Sequence, residues 1–251
     1  MELQAFFKEH PKAALAYSGG VDSAYLLYAG LACGGDIRPY YVKSQFQPAF
    51  EQRDALRLAE RLGVEPVVIG LDVLACPEIT SNPENRCYHC KRRIMEAIRG
   101  AAAEDGYTLL LDGTNASDQS ADRPGMRALE EAGILSPLRL CGLTKPVIRA
   151  RSRAAGLFTW DKPAYACLAT RIPAGEAIDA CRLEKIEKSE DMLFSMGFSD
   201  FRVRLRGENA LLQFTAGQLP AAKERFSEIE RLLGGYFGEI HIDTEERKSS
   251  L

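Results

Sequence analysis

Through the first two thirds of the chain, short apolar runs alternate with longer stretches whose apolar residues recur at helical spacing. Residues 13–17, 39–42, 67–69 and 109–111 read as strands, and 22–31, 51–62 and 91–103 as helices, with Gly63 closing the second. This β-α alternation predicts an α/β fold, a doubly wound parallel sheet that takes ligands outside the carboxyl ends of its strands. Leu3, Phe6 and Phe7 fall at helical spacing in a terminal segment too short and too charged to span a membrane. After the Pro- and Gly-containing stretch 171–175 the pattern changes to a helix (179–196), two alternating strands (201–205 and 210–214), a helix (220–233) and a strand (239–242). We therefore expect a larger domain over 1–172, a smaller α+β domain over 173–243 and a polar, frayed tail over 244–251. No internal repeat or low-complexity tract is visible.

Composition narrows the class. With 251 residues, 46% hydrophobic and 27% charged, the chain suits one or two soluble domains and excludes disorder, a collagen-like repeat and a coiled coil. Lysine plus arginine number 32 against 35 aspartate plus glutamate, a net charge of -3, so nothing favours non-specific nucleic-acid binding. The seven cysteines form an odd set with no signal peptide before them, which points to a reducing cytoplasm and not to a disulfide framework. No transmembrane segment is expected.

The first strand runs directly into Ser18-Gly19-Gly20-Val21-Asp22-Ser23, and a helix follows. Two glycines let the backbone approach a ligand, the helix start offers free N–H groups to phosphate, Ser18 and Ser23 add hydroxyls, and Asp22 is a candidate magnesium ligand. The bland alternative is an ordinary strand-to-helix turn with a Ser or Asp cap. The loop lacks the Gly-Lys-Ser/Thr ending of a Walker A motif and the Gly-x-Gly-x-x-Gly spacing of a dinucleotide fold. A second segment, 109–118, reads as a buried strand ending in Asp112-Gly113-Thr114-Asn115. On a doubly wound sheet this polar loop shares the edge of the first, so Asp112, Thr114 and Asn115 are candidates to face nucleotide or magnesium, the alternative being a plain Asp-Gly turn.

Ser18 to Ser23 resembles the PP-loop of the ATP pyrophosphatase superfamily. The resemblance implies the adenine nucleotide alpha hydrolase-like fold and cleavage of ATP between its α- and β-phosphates, giving an adenylated substrate and pyrophosphate. The loop alone indicates activation chemistry and leaves the substrate open.

Cys87-Tyr88-His89-Cys90 places a C-x-x-C pair at the start of a helix, where a thiolate is favoured for metal ligation or nucleophilic attack. A buried thiol pair is the plain alternative, and a closed zinc or iron-sulfur site needs more ligands. Residues 156–173, with Cys167 at their centre, make the sequence resemble the LarE-type sulfur transferases, which supply sulfur to the pyridinium nucleotide precursor of the nickel-pincer cofactor. The match runs from the PP-loop through 86–91, 112–115, Asp122-Arg123-Pro124-Gly125-Met126-Arg127 and the Cys167 segment, and covers most of the chain.

In that family the cysteine matching Cys167 bears the sulfur. Some members sacrifice it and are left with dehydroalanine; those similar to this chain hold a 4Fe-4S cluster through three cysteines, here Cys87, Cys90 and Cys167. The family pattern implies an iron without a protein ligand, able to take hydrosulfide. Zinc with His89 as a further ligand, and bare sacrifice of Cys167, stay open. Cys33, Cys76, Cys141 and Cys181 are assigned to packing. Arg202 and Arg204 alternate on one face of a strand and, with Arg171, resemble the family's substrate-phosphate arginines. A solvated basic edge continued by Arg206 is their alternative. Glu190 is the weaker member of that set, with an exposed helix position favoured.

The expected reaction is attack of a substrate carboxylate on the α-phosphate of ATP, aided by magnesium near Asp22, followed by displacement of AMP by sulfur to give a thiocarboxylate. The resemblance also implies a sulfide or persulfide donor, nickel-pincer pathway enzymes as partners, and a homo-oligomer, dimer or hexamer; the charge and hydropathy pattern leads us to expect no nucleic-acid or membrane partner. The rivals are an amide-forming ligase similar to NAD synthetase, a tRNA thiolase, and a non-catalytic nucleotide-binding protein.

Overall fold

The computed structural model describes residues 2–118 and 124–248. Asp122 and Arg123 of the matched 122–127 segment lie outside the described residues. The elements are, in chain order, α1 (Leu3–Glu9), β1 (Lys12–Ala16), α2 (Val21–Ala32), β2 (Asp36–Lys43), α3 (Ala49–Arg61), β3 (Val67–Gly70), α4 (Pro77–Thr80), α5 (Arg86–Glu104), β4 (Leu110–Leu111), α6 (Pro124–Glu131), α7 (Pro137–Leu140) and α8 (Lys145–Ala154). A 3-10 turn (Leu168–Arg171) follows, then α9 (Ala180–Ser195), β5 (Phe201–Arg206), β6 (Asn209–Phe214), α10 (Leu219–Glu224), α11 (Phe226–Leu233) and β7 (Ile240–Ile242).

The chain divides into two compact units. One comprises residues 1–73 and 85–162, the other 74–84 and 163–251. In the first, four parallel strands lie in the order β3-β2-β1-β4. Alternation along β1 explains the two covered faces: Ala13 and Leu15 join a cluster with Phe6, Phe7, Leu26, Leu27 and Ile148, while Ala14 joins one with Tyr40, Met95, Ile98 and Leu129. Strands buried on both sides need helices on both sides. The chain runs outward from β1 to β3 and returns to place β4 on the other flank of β1, so the strand order reverses between β1 and β4. Ligands of open α/β sheets bind at that reversal, outside the strand carboxyl ends. The loops that leave β1 and β4 there are the two singled out above.

In the second unit β5 and β6 form an antiparallel pair and β7 adds in parallel to β6. Phe194, Phe198, Phe201 and Phe214 pack ring to ring with centroids 4.8–5.9 Å apart and form its aromatic core. Residues 74–84 belong here because their backbone is tied to the chain beyond 172: Gly175 N–H donates to Asn82 O and Ile178 N–H to Thr80 O, each at 2.8 Å.

Several local expectations change. Helix α5 starts at Arg86, not at residue 91, which draws Cys87 and Cys90 into its first turns. The helix expected over 220–233 divides at Arg225, whose guanidinium is tied to the Met196 carbonyl at 2.8 Å. The polar C-terminal stretch does not fray as far as it is described: Arg247 N–H donates to Phe214 O at 2.9 Å, and its side chain pairs with Asp200. Cys33 and Cys181 are exposed, which corrects their assignment to the core. Among the described residues no helix is long and apolar enough to cross a membrane.

Candidate functional site

The loop after β1 is held from three sides. Gly19 has φ +72°, and a Cβ there would stand 2.5 Å from the Ala55 Cβ of α3, so the loop runs against that helix where only glycine fits. Tyr17, just before it, donates its hydroxyl to the Ala55 carbonyl at 2.9 Å. Ser18 and Ser23 share a hydrogen bond at 3.0 Å across the turn, and Ser23 Oγ also accepts from Ser18 N–H at 3.2 Å. Gly20 caps α2, whose first internal hydrogen bond runs from Ala24 N–H to Gly20 O. Helix geometry leaves the N–H groups before it without an intrahelical acceptor and pointed at the strand-end crevice, the arrangement that receives phosphate. Replacing Gly19 with alanine combines a left-handed backbone with overpacking and is expected to cost about 2–4 kcal/mol, read by urea denaturation.

Gly113 brings the second loop into place. A Cβ there would lie 2.9 Å from Ser23 N, so the chain leaving β4 abuts the start of α2. Asn115, fully buried, donates from Nδ2 to Asp22 at 3.4 Å and accepts Ser117 N–H at 2.8 Å. Asp22 also pairs with Lys145, the first residue of α8, whose N–H donates to Ser117 Oγ at 2.9 Å. Burial raises the Asp22 carboxyl above the ordinary range, and the adjacent Lys145 pulls against it. Asp112 is buried and accepts hydroxyl hydrogen bonds from Thr114 and Ser136, so in this arrangement it braces the loop.

Ser18, Gly19 and Gly20 in the loop after β1, with Asp22 and Ser23 in the first turn of α2, thus adjoin Asp112, Thr114 and Asn115 in the loop after β4. Lys145 was not foreseen. Its one visible signal is Thr144 followed by Lys-Pro, a helix start, and its pairing with Asp22 depends on tertiary packing.

Cys87 and Cys90 occupy the start of α5, the former exposed and the latter half-buried. Arg86 Nη2 lies 3.9 Å from Cys87 Sγ. Tyr88 between them donates to Glu131 of α6 at 2.6 Å, with Arg127 stacked on its ring. These two cysteines belong to the first unit, and Cys167 to the second. Within either unit, among the described residues, no three His, Cys, Asp or Glu side chains are gathered as metal ligands.

In the second unit Cys167 caps the 3-10 turn, and its carbonyl accepts both the N–H and the hydroxyl of Thr170. Arg171 at the end of that turn is 1% exposed and grips Glu190, also 1% exposed, through Nε–Oε1 at 2.8 Å and Nη2–Oε2 at 3.2 Å. Its remaining nitrogen donates to Ala166 O and Thr170 Oγ1. Burial works against the Arg171 charge, but Glu190, Tyr165 and Cys167 more than offset it, and the guanidinium is held above its usual value. Glu190 further accepts Val203 N–H at 3.0 Å and the Tyr165 hydroxyl. An exposed position for Glu190 is therefore overturned: it is the hub of a buried network.

Arg202 is buried and donates to the carbonyls of Ala164 and Phe201, each at 2.6 Å; half-buried Arg204 donates to Thr170 O at 2.8 Å. Burial, then the nearby Arg171 and Arg247, brings Arg202 down to about 10. Burial lowers Arg204 likewise. They do not form a solvated basic edge: of the alternating three, only Arg206 is exposed. Arg171, Arg202 and Arg204 all bind the backbone of the segment that carries Cys167.

No protein-family model matches the chain. An uncharacterized Synechocystis protein, slr1717, is 34% identical over 219 residues, 86% of this chain and 81% of its own length. Pyridinium-3,5-bisthiocarboxylic acid mononucleotide synthase of Lactiplantibacillus plantarum is 29% identical over 219 residues, 86% of this chain and 79% of its own. The glutamine-hydrolyzing GMP synthase of Aeropyrum pernix is 35% identical over 118 residues, 45% of this chain and 23% of its own. The parallel sheet, with its glycine-bearing loop at the strand-order reversal, makes this a PP-loop protein. Within that class the chain belongs to the LarE family.

Proposed function

We propose that this chain is an ATP-dependent sulfur transferase that converts a carboxylate of a pyridinium dicarboxylate mononucleotide to a thiocarboxylate. The observation that carries this reading is the likeness, over 86% of the chain, to a synthase of a pyridinium bisthiocarboxylic acid mononucleotide. The geometry supplies parts suited to both half-reactions. In the first unit the α2 N-terminus with Ser18 and Ser23 receives phosphate oxygens, Lys145 offers a cation, and Asp22 is the oxygen donor offered to magnesium. A substrate carboxylate oxygen bonds to the α-phosphorus, and the bond to the β-phosphate oxygen breaks with its electron pair leaving in pyrophosphate. Sulfur then attacks the acyl carbon and the carbon–oxygen bond to AMP breaks. In the second unit Arg171 and Arg204 brace the backbone on either side of Cys167, through Ala166 O and Thr170 O, and so hold the turn that presents its sulfur.

Cys87, Cys90 and Cys167 are the three side chains assigned to a 4Fe-4S cluster, and thiolate donors suit that group. Bound through three cysteines, it would supply one iron lacking a protein ligand as a seat for hydrosulfide. Anaerobic reconstitution of the full chain with iron and sulfide tests this: iron and acid-labile sulfide should reach cluster stoichiometry and fall in a Cys87→Ser/Cys90→Ser variant. A colourless, iron-free protein contradicts it, and loss of the elements of hydrogen sulfide from Cys167 after turnover marks the sacrificial route instead. The function itself is tested by carboxylate-dependent pyrophosphate release from ATP. The partial match to a GMP synthase favours one other reading, an amide-forming ligase, for which ammonia and not sulfide would drive product formation.

A further inference from the structure

One turn of α3 touches two things at once. On one side Ala55 backs the PP-loop, excluding any side chain at Gly19 and accepting the Tyr17 hydroxyl. On another, Glu51 and Asp54 both bind the Lys162 ammonium, at 3.0 and 2.9 Å, where Lys162 is 15% and Glu51 14% exposed. Neither carboxylate serves the phosphate site described above. Two carboxylates at i and i+3 on a helix repel each other, and a cation seated between them removes that cost. The Lys162 backbone is gripped as well: Arg149 of α8 donates to Lys162 O at 2.9 Å and to Trp160 O at 2.6 Å. The same α8 begins with Lys145, the partner of Asp22. Lys162 is the last residue of the first unit, and the chain passes from it through Pro163 to Cys167.

We infer that Lys162 is a positioning residue, anchoring the start of the cysteine-bearing segment to the turn of α3 that backs the PP-loop. Its role is to fix where that segment departs, so that sulfur is delivered to the adenylate before water is. The inference rests on the function proposed above. An adenylate not met by sulfur is hydrolysed, with water adding to the acyl carbon and AMP leaving, so poor positioning shows as ATP spent without thiocarboxylate. Misplacement of a reacting group by an ångström costs about a hundredfold in rate, while the phosphate contacts stay as they are.

The test uses the full chain with ATP, the pyridinium dicarboxylate mononucleotide and sulfide, and reads pyrophosphate released per thiocarboxylate formed. Lys162→Met is expected to raise this ratio by about tenfold or more with pyrophosphate release little changed, and Lys162→Arg, which can still bridge both carboxylates, should restore most of the coupling. Glu51→Gln should give a smaller rise in the same direction, and it carries the test should Lys162→Met fail to fold. An unchanged ratio in a folded Lys162→Met or Glu51→Gln protein overturns the inference, as does Lys162→Arg behaving no better than Lys162→Met. A wild-type protein that forms no thiocarboxylate at all overturns the proposed function, and this inference with it.

Discussion

Replacement of Cys167 by alanine is expected to abolish thiocarboxylate formation, a loss on the order of a thousandfold or more, while carboxylate-dependent pyrophosphate release stays within about threefold of wild type. The reason is a division of labour between residues of two units. The groups suited to phosphate, from Ser18 to Ser23 with Asn115 and Lys145, belong to the first unit, and Cys167 with Arg171 belongs to the second. Cys167 packs no core of its own: it is only half-buried, and the turn it caps is held through its carbonyl, which alanine retains. Parallel assays of pyrophosphate and of product on one preparation check the split. Loss of pyrophosphate release in a folded Cys167→Ala protein would count against it.

Removal of the Glu190 carboxylate is expected to have the largest effect on stability. Glu190→Ala leaves the Arg171 guanidinium, the Val203 N–H and the Tyr165 hydroxyl without their acceptor in a site that is almost fully buried. Breaking a buried ion pair by removing one partner costs about 3–5 kcal/mol, because the remaining charge stays desolvated. The network joins α9, β5 and the Cys167 turn, so sulfur transfer should fall along with stability. Glu190→Gln keeps the shape and one acceptor oxygen and should cost less. Chemical denaturation of the two variants beside wild type checks both statements; a loss below about 1 kcal/mol for Glu190→Ala would mean that water replaces the carboxylate.

Sequence made the nucleotide half of the fold legible because its signals are local. Residues 13–17 form an apolar run feeding a Gly-Gly turn, and the structure places β1, the loop and α2 there in order. β4 is only two residues long, and it was visible because the three leucines before Asp112 need burial whatever their partner. Other features depend on contacts distant in sequence. Arg86 to Cys90 carry no apolar repeat, so the hydrophobic pattern begins only at residue 91, although the C-x-x-C pair does stand at the helix start. Glu190 lies among alternating charges on α9 and reads as solvent-facing; only the fold turns it toward Arg171. Lys145 and Lys162 look like ordinary surface lysines until α2 and α3 bring acidic partners to them. Arg202 and Arg204 were singled out for an anionic ligand, and their donors are directed at backbone carbonyls of residues 164–170 and Phe201 and at the side chains of Asp200 and Gln213. Binding and bracing use the same residue types, and the strand alternation that draws attention to them does not separate the two roles.

The central claim, that this PP-loop protein spends ATP to exchange carboxylate oxygen for sulfur, is tested most directly by the mass of the acceptor after reaction. The full chain is incubated anaerobically with ATP, magnesium, isotopically labelled sulfide and the pyridinium dicarboxylate mononucleotide, and acceptor and nucleotides are resolved by mass spectrometry. The expected result is an acceptor in which one oxygen has been replaced by sulfur, formed only with ATP and accompanied by AMP and pyrophosphate. Labelled sulfur appears in it by the cluster route, and unlabelled sulfur, with dehydroalanine at residue 167, by the sacrificial one. With ammonium supplied in a parallel incubation, an amide product in place of the thiocarboxylate would contradict it, as would AMP and pyrophosphate with no sulfur in the acceptor by either route.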